Sequence, residues 1–239
     1  MSSLSREEFI ELGASIPADT LVGWASGQLA ATKGKESRLL TRGVNAATLA
    51  AILDLTAIVE KRRKELGESQ EFPPQAVALA QRIREEAVEY WREAKLLAKV
   101  EYGTQPDLLA QFRTGVQTGL LLGTLTQELE TMIALLREHA PQLAGLGGSP
   151  AFITRGEVLV ARLKEVKAKV DGACGALPPT ALQQCFDKGL LYDQTRRLVR
   201  IARLEFIRDP KRASEFNFTG IRRARGVSTQ PELKEGRIA

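Results

Sequence analysis

A chain of 239 residues with a net charge of +5 is long enough to bury a core without disulfides or metals. Only 5% of the residues are aromatic, and Ala and Leu recur without alternating runs of Val, Ile or Thr, so a sheet is not expected. Two cysteines, Cys174 and Cys185, and one histidine leave no disulfide framework and too few ligands for a helical metal centre.

Helix signals follow one another from the start. Ser5 and Glu8 stand at capping-box spacing and open a short helix that ends near Gly13. Ser15-Ile16-Pro17 restarts the chain as a helix through Leu21, Trp24 and Leu29, which the Gly34 region ends. Leu40-Thr41-Arg42-Gly43 opens the next, which runs to Leu66-Gly67. Phe72-Pro73-Pro74 then turns the chain into a long helix whose apolar positions Ala76, Ala80, Ile83, Ala87, Trp91, Ala94 and Leu97 keep helical spacing to Tyr102. Thr104 to Asp107 caps another helix, through Phe112, Val116, Leu129, Ile133 and Leu136 to His139-Ala140-Pro141. Thr154-Arg155-Gly156-Glu157 opens a further helix to Gly172, and Leu177-Pro178-Pro179 opens the last, which stops before Asp209-Pro210. Beyond Pro210 apolar periodicity disappears, which predicts an extended arm.

These elements predict an all-α fold: a bundle of six to seven helices with an extended basic C-terminal arm. The predicted organisation is an N-terminal helical unit over 1–140, a Gly/Pro-rich joint over 141–152, a C-terminal helical hairpin over 153–208 packed on the first unit, and an arm over 209–239. A tandem pair of three-helix units, roughly 6–102 and 107–208, is a competing reading. Thr-Arg-Gly recurs at 41 and 154, and aromatic-or-Leu-Pro-Pro recurs at 72 and 177. The first eight residues carry acids where a signal peptide needs an apolar core, and the charge-free stretches are shorter than the roughly 18 residues a membrane span requires. A cytoplasmic protein without a transmembrane segment is expected.

Two weakly charged helices carry small-residue stripes, Gly43, Ala47 and Ala51 on one and Gly115, Gly119 and Gly123 on the other. Glycine in a helix costs about 1 kcal/mol relative to alanine, so close approach of a neighbouring backbone, within the chain or in a second copy, is expected there. Asp54 shares the first stripe's face and, if buried, needs an arginine partner.

Catalytic patterns are missing. No Gly-x-Ser-x-Gly elbow, P-loop or dinucleotide loop occurs, and His139 at a helix end reads as a cap. Glu85, Glu86, Glu89 and Glu93 interleave with Arg82, Arg92 and Lys95 as a solvated helix face. No enzymatic activity, cofactor or metal is therefore expected.

Charge is concentrated late in the chain. Residues 196–225 hold ten Arg or Lys against Glu205, Asp209 and Glu215, whereas the first 195 residues hold 22 basic against 24 acidic. Tyr192, Arg196, Arg200 and Arg203 fall on one face of the last helix, with Leu198, Ala202 and Phe206 turned inward. Arg222, Arg223 and Arg225 extend the basic pattern into the arm, where Phe216 and Phe218 alternate with polar residues as apolar anchors. The expected function is a non-enzymatic helical assembly or adaptor protein whose basic arm docks on a protein partner or on another subunit. The alternative is a nucleic-acid-associated protein that grips phosphates through the Arg-rich segment 196–225. A ligand-sensing or catalytic helical bundle stands third.

Overall fold

A computed structural model describes residues 4–66, 74–113, 121–219 and 221. The all-α expectation is borne out: the described residues form helices and no strand. In chain order the helices are α1 (Arg6–Ala14), α2 (Ala18–Thr32), α3 (Glu36–Leu40), α4 (Ala46–Leu66), α5 (Pro74–Tyr102), α6 (Pro106–Gln111), α7 (Leu122–Glu138), α8 (Ala140–Leu143), α9 (Pro150–Gly175), α10 (Pro179–Glu205) and α11 (Pro210–Glu215). Among the described residues no helix is long and apolar enough to cross a membrane.

The chain divides into two compact units, one of Met1–Glu71 with Pro178–Ala239, the other of Phe72–Leu177. The second unit is thus an insertion between α4 and α10 of the first. The Gly/Pro-rich stretch 141–152 lies inside the second unit, where α8, a 3-10 turn over Ala144–Leu146 and the start of α9 occupy it. Gly148 packs against Leu143 there, and its N–H donates to the Leu143 carbonyl at 2.9 Å. Hence α9 and α10, read as one hairpin, belong to different units.

The first unit is built around α10. Helix α1 runs against it, α4 packs on both α10 and α2, and α3 and α11 cover its C-terminal end. The Ser5/Glu8 capping box opens α1 with both reciprocal hydrogen bonds formed. The closest helix contact occurs where α1 crosses α10. A methyl group at Gly13 would lie 1.8 Å from the Cys185 carbonyl oxygen, and one at Gly189 would lie 2.0 Å from the Phe9 carbonyl oxygen. Two glycines facing each other let the backbones touch, so Gly13 is a packing residue rather than only a helix stop.

Other local readings differ from the structure for clear reasons. Gly43 takes φ +82° in the turn after α3, and Asn45 caps α4 by accepting from the Thr48 N–H at 2.9 Å, so Gly43 is not helical. Ser149, not Thr154, caps α9, accepting from the Phe152 N–H at 3.3 Å. That places Gly156 in the helix interior, where a methyl group would lie 2.4 Å from the Tyr90 hydroxyl oxygen. The helix expected from 107 to 139 is broken: α6 ends at Gln111, Arg113 takes φ 50°, and α7 begins at Leu122.

The second unit packs α5, α7 and α9 side by side, with α6 and α8 at one end of α5. Its interface is edged by ion pairs between helices: Glu93 with Arg155, Glu86 with Arg162, Glu157 with Arg137 and Glu130 with Lys164. Part of the acidic face of α5 is thereby used in packing. Tyr90 is fully buried, stacked on Phe152 with ring centroids 4.6 Å apart.

Candidate functional site

The extended-arm expectation fails over its first ten residues. Pro210 starts α11, Asp209 accepts from the Arg212 N–H at 3.2 Å as its cap, and the following residues return to the core. Phe216 is fully buried and lies parallel to Phe206, with centroids 6.0 Å apart. The Trp24 indole N–H donates to the Asn217 carbonyl at 2.8 Å, Phe218 packs on the Trp24 ring, and Ile221 is buried. The Lys35 ammonium pairs with Glu215 at 2.8 Å. Two aromatic anchors, Phe216 and Phe218, therefore belong to the chain's own first unit. Residues Arg222, Arg223 and Arg225 lie outside the described residues.

What remains accessible is the outward face of the C-terminal half of α10. Tyr192 leaves the ridge: it is buried, with its ring 5.7 Å from that of Trp24. Leu198, Ala202 and Phe206 are buried, while Arg200 and Arg203 are exposed and Arg196 is half-buried. Arg197 and Arg208 are exposed too. Helical spacing places the first four on the solvent side, because the buried positions 195, 198, 199 and 202 occupy the other side, and Arg208 follows in the turn after α10. Among the described residues, none of the five makes an ion pair. Burial, and then the neighbouring Arg196 cation, pushes the Arg200 guanidinium below its usual value. It stays charged nonetheless.

Leu204 and Ile207 sit among these arginines with 55% and 70% of their surface exposed. Glu205, the acid of this turn, is turned aside. It accepts from Arg42 at 2.8 Å and from Arg38 at 2.9 Å, and those hydrogen bonds hold its carboxyl below the usual carboxylate range. The outward face is thus net positive, with Asp193 near Arg200 as its acid and with apolar side chains interleaved.

The first small-residue stripe falls elsewhere than the central packing expected of it. Ala47 is exposed and Ala51 half-buried on α4, Gly43 lies in a turn with open space around it, and Asp54 is exposed. Gly123 is half-buried at the start of α7, where its α-carbon faces the Lys167 side chain. Gly115 and Gly119 lie outside the described residues. The glycines that do bring helices together, Gly13 and Gly189, carry a weak sequence signal: single glycines at the end of one helix and in the middle of another.

A shallow groove of about 370 Å³ in the second unit is lined by Leu96, Leu97, Val100, Leu146 and Phe152, with Glu93 at its edge. That carboxylate is already paired with Arg155. Lys95 lies on the Trp91 face, Nζ 3.5 Å from the ring centroid, and burial followed by the nearby Lys99 and Arg113 cations pushes it down to about 8. No group of three or more metal-binding side chains occurs among the described residues. Comparison with protein-family models, with curated proteins and with solved structures finds no match for this chain.

Proposed function

We propose that this chain is a non-enzymatic helical assembly or adaptor protein, which docks through the arginine ridge of α10 onto a protein partner whose surface combines acidic and apolar side chains. The observation that carries this reading is the ridge itself: among the described residues Arg196, Arg197, Arg200, Arg203 and Arg208 make no ion pair, and Leu204 and Ile207 project among them. Arginine forks fit carboxylates bidentately, and the exposed aliphatic pair supplies the apolar anchor that protein interfaces concentrate. A phosphate backbone has no use for that pair, since its affinity comes from charge neutralisation.

The test is a salt series. A labelled, sequence-neutral single- and double-stranded DNA is titrated with the full chain and with the variant Arg196→Glu/Arg200→Glu/Arg203→Glu. The reading predicts weak binding to DNA and no dependence on Leu204 or Ile207. Tight binding with a steep salt slope, lost in the triple variant, would replace the protein partner by nucleic acid.

A further inference from the structure

The outward face of α4 is a second exposed surface, and it is chemically unlike the ridge. Ile52, Thr56 and Val59 turn into the first unit, which leaves Ala47, Ala50, Leu53, Asp54, Ala57 and Ile58 outside. Leu53 and Ile58 keep 60% and 40% of their surface exposed. Over the fifteen residues from Asn45 to Val59 the only charge is Asp54, which makes no ion pair or hydrogen bond among the described residues. An aliphatic face of this kind on a helix twenty-one residues long is exceptional for a surface that meets only water.

The spacing of the exposed positions points to the occupant. Ala47, Ala50, Asp54, Ala57 and Lys61 recur at alternating steps of three and four, the period of a seam between two helices, with Leu53 and Ile58 flanking it on either side. Small residues along the seam let two helix backbones approach closely, and the flanking aliphatic pair then closes over the contact.

We propose that a second copy of this chain occupies this face, α4 against α4 in antiparallel orientation about a two-fold axis near residues 55–58. A two-fold pairing must be self-complementary, and this one is. It brings Asp54 of each copy within one helical turn of Lys61 of the other, and it lays Leu53 and Ile58 of each along the Ala50–Ala57 strip of the other. Lys61 is the most loosely held base of this end: its pair with Glu65 is long, at 3.7 Å, and its side chain is 78% exposed. The other bases of this end are engaged, Arg62 with Asp187, Arg63 with Asp19 and Lys64 with Glu60. The charge complementarity therefore falls on one acid and one base per copy, formed twice.

Sedimentation velocity of the full chain from about 1 μM to about 100 μM tests this, a range that brackets dimers of ordinary affinity. A reversible monomer–dimer equilibrium is expected. Ala57→Glu, at an exposed position that leaves the helical circular dichroism unchanged, raises the dissociation constant about tenfold or more by placing an unpaired carboxylate in the seam. Leu53→Ser weakens the dimer as well. Asp54→Lys and Lys61→Asp each weaken it, and the two together restore it, which fixes the antiparallel register. Arg196→Glu/Arg200→Glu/Arg203→Glu leaves the dimer intact, which separates this interface from the α10 ridge. A monomer at every concentration, or a dimer indifferent to Ala57→Glu, overturns the proposal. Failure of the double charge swap to restore association overturns the antiparallel arrangement.

Discussion

The two units differ in net charge more than in pairing, since the outer unit also ties its elements together with ion pairs, Lys35 to Glu215, Arg38 and Arg42 to Glu205, Arg62 to Asp187 and Arg63 to Asp19. The inserted unit carries 12 basic against 12 acidic side chains and pairs many of them across its own helices, α9 to α5 and α7 to α9. The outer unit carries 22 basic against 17 acidic and so holds the whole net charge, and five arginines on and just after α10 make no ion pair among the described residues. Exposed ion pairs contribute only about 0–1 kcal/mol each, so neither pattern governs folding. The contrast is one of placement: charges paired within the fold edge its interfaces, and the arginines beside the exposed Leu204 and Ile207 face solvent.

Packing separates the units as well, and substitution at their glycines should give the largest effects. Gly189→Ala places a methyl group against the Phe9 backbone, which cannot rotate away, and should cost the outer unit about 3 kcal/mol. Gly156→Ala meets the Tyr90 side chain instead and should cost the inserted unit about 1–2 kcal/mol, because a ring can shift where a backbone cannot. Native-state hydrogen exchange, read separately on α1 with α10 and on α5 with α9, checks both; equal losses would remove the distinction.

Phe216→Ala should cost the outer unit about 3 kcal/mol by emptying the site against Phe206, and it should leave protection of α5 and α9 unchanged. A loss within experimental error would return the segment after Pro210 to the status of a loose arm.

Alkaline pH should act on the inserted unit. Burial pushes the Tyr90 hydroxyl from 10.0 up to about 12, and that hydroxyl has no hydrogen-bond partner among the described residues. A raised folded-state value favours the neutral form, so this contribution is complete below pH 10 and is lost as the pH rises towards 12. Tyr102, raised by burial in the same unit, acts in the same sense. Tyr90→Phe should flatten most of the alkaline decline in melting temperature and leave stability at pH 7 within about 1 kcal/mol. An unchanged alkaline profile in Tyr90→Phe would contradict the assignment. The smallest effect belongs to Glu205→Gln, whose chemical-denaturation midpoint should match wild type, because Arg38 and Arg42 are both about half exposed.

Legibility in the sequence followed locality. The capping box at Ser5 and Glu8, the start of α5 after Pro73, its end at Tyr102 and the start of α10 after Pro178 all rest on neighbours in the chain, and each was readable. The α1–α10 crossing depends on Gly13 meeting Gly189, two positions that nothing local connects. The return of Phe216 to the core was hidden for a similar reason: a six-residue helix and two alternating aromatics show no helical period, so the segment reads as a tail although Trp24 and Phe206 hold it. Gly43, Ala47 and Ala51 share the four-residue spacing of buried glycine stripes, yet burial is decided by where α2 and α10 lie, and they lie against Ile52 and Val59. The outward arginines of α10 were readable from spacing, but the exposed Leu204 and Ile207 that qualify their chemistry were not.

The most direct test of the docking face is photo-crosslinking. A benzophenone side chain at position 204 is compared with one at Lys169, an exposed site on the inserted unit, in the protein's native lysate. The account predicts a discrete protein adduct at 204, absent at 169, resistant to nuclease, and lost when Arg196, Arg200 and Arg203 are changed to Glu. A nuclease-sensitive adduct, or the same adducts at both positions, would contradict it.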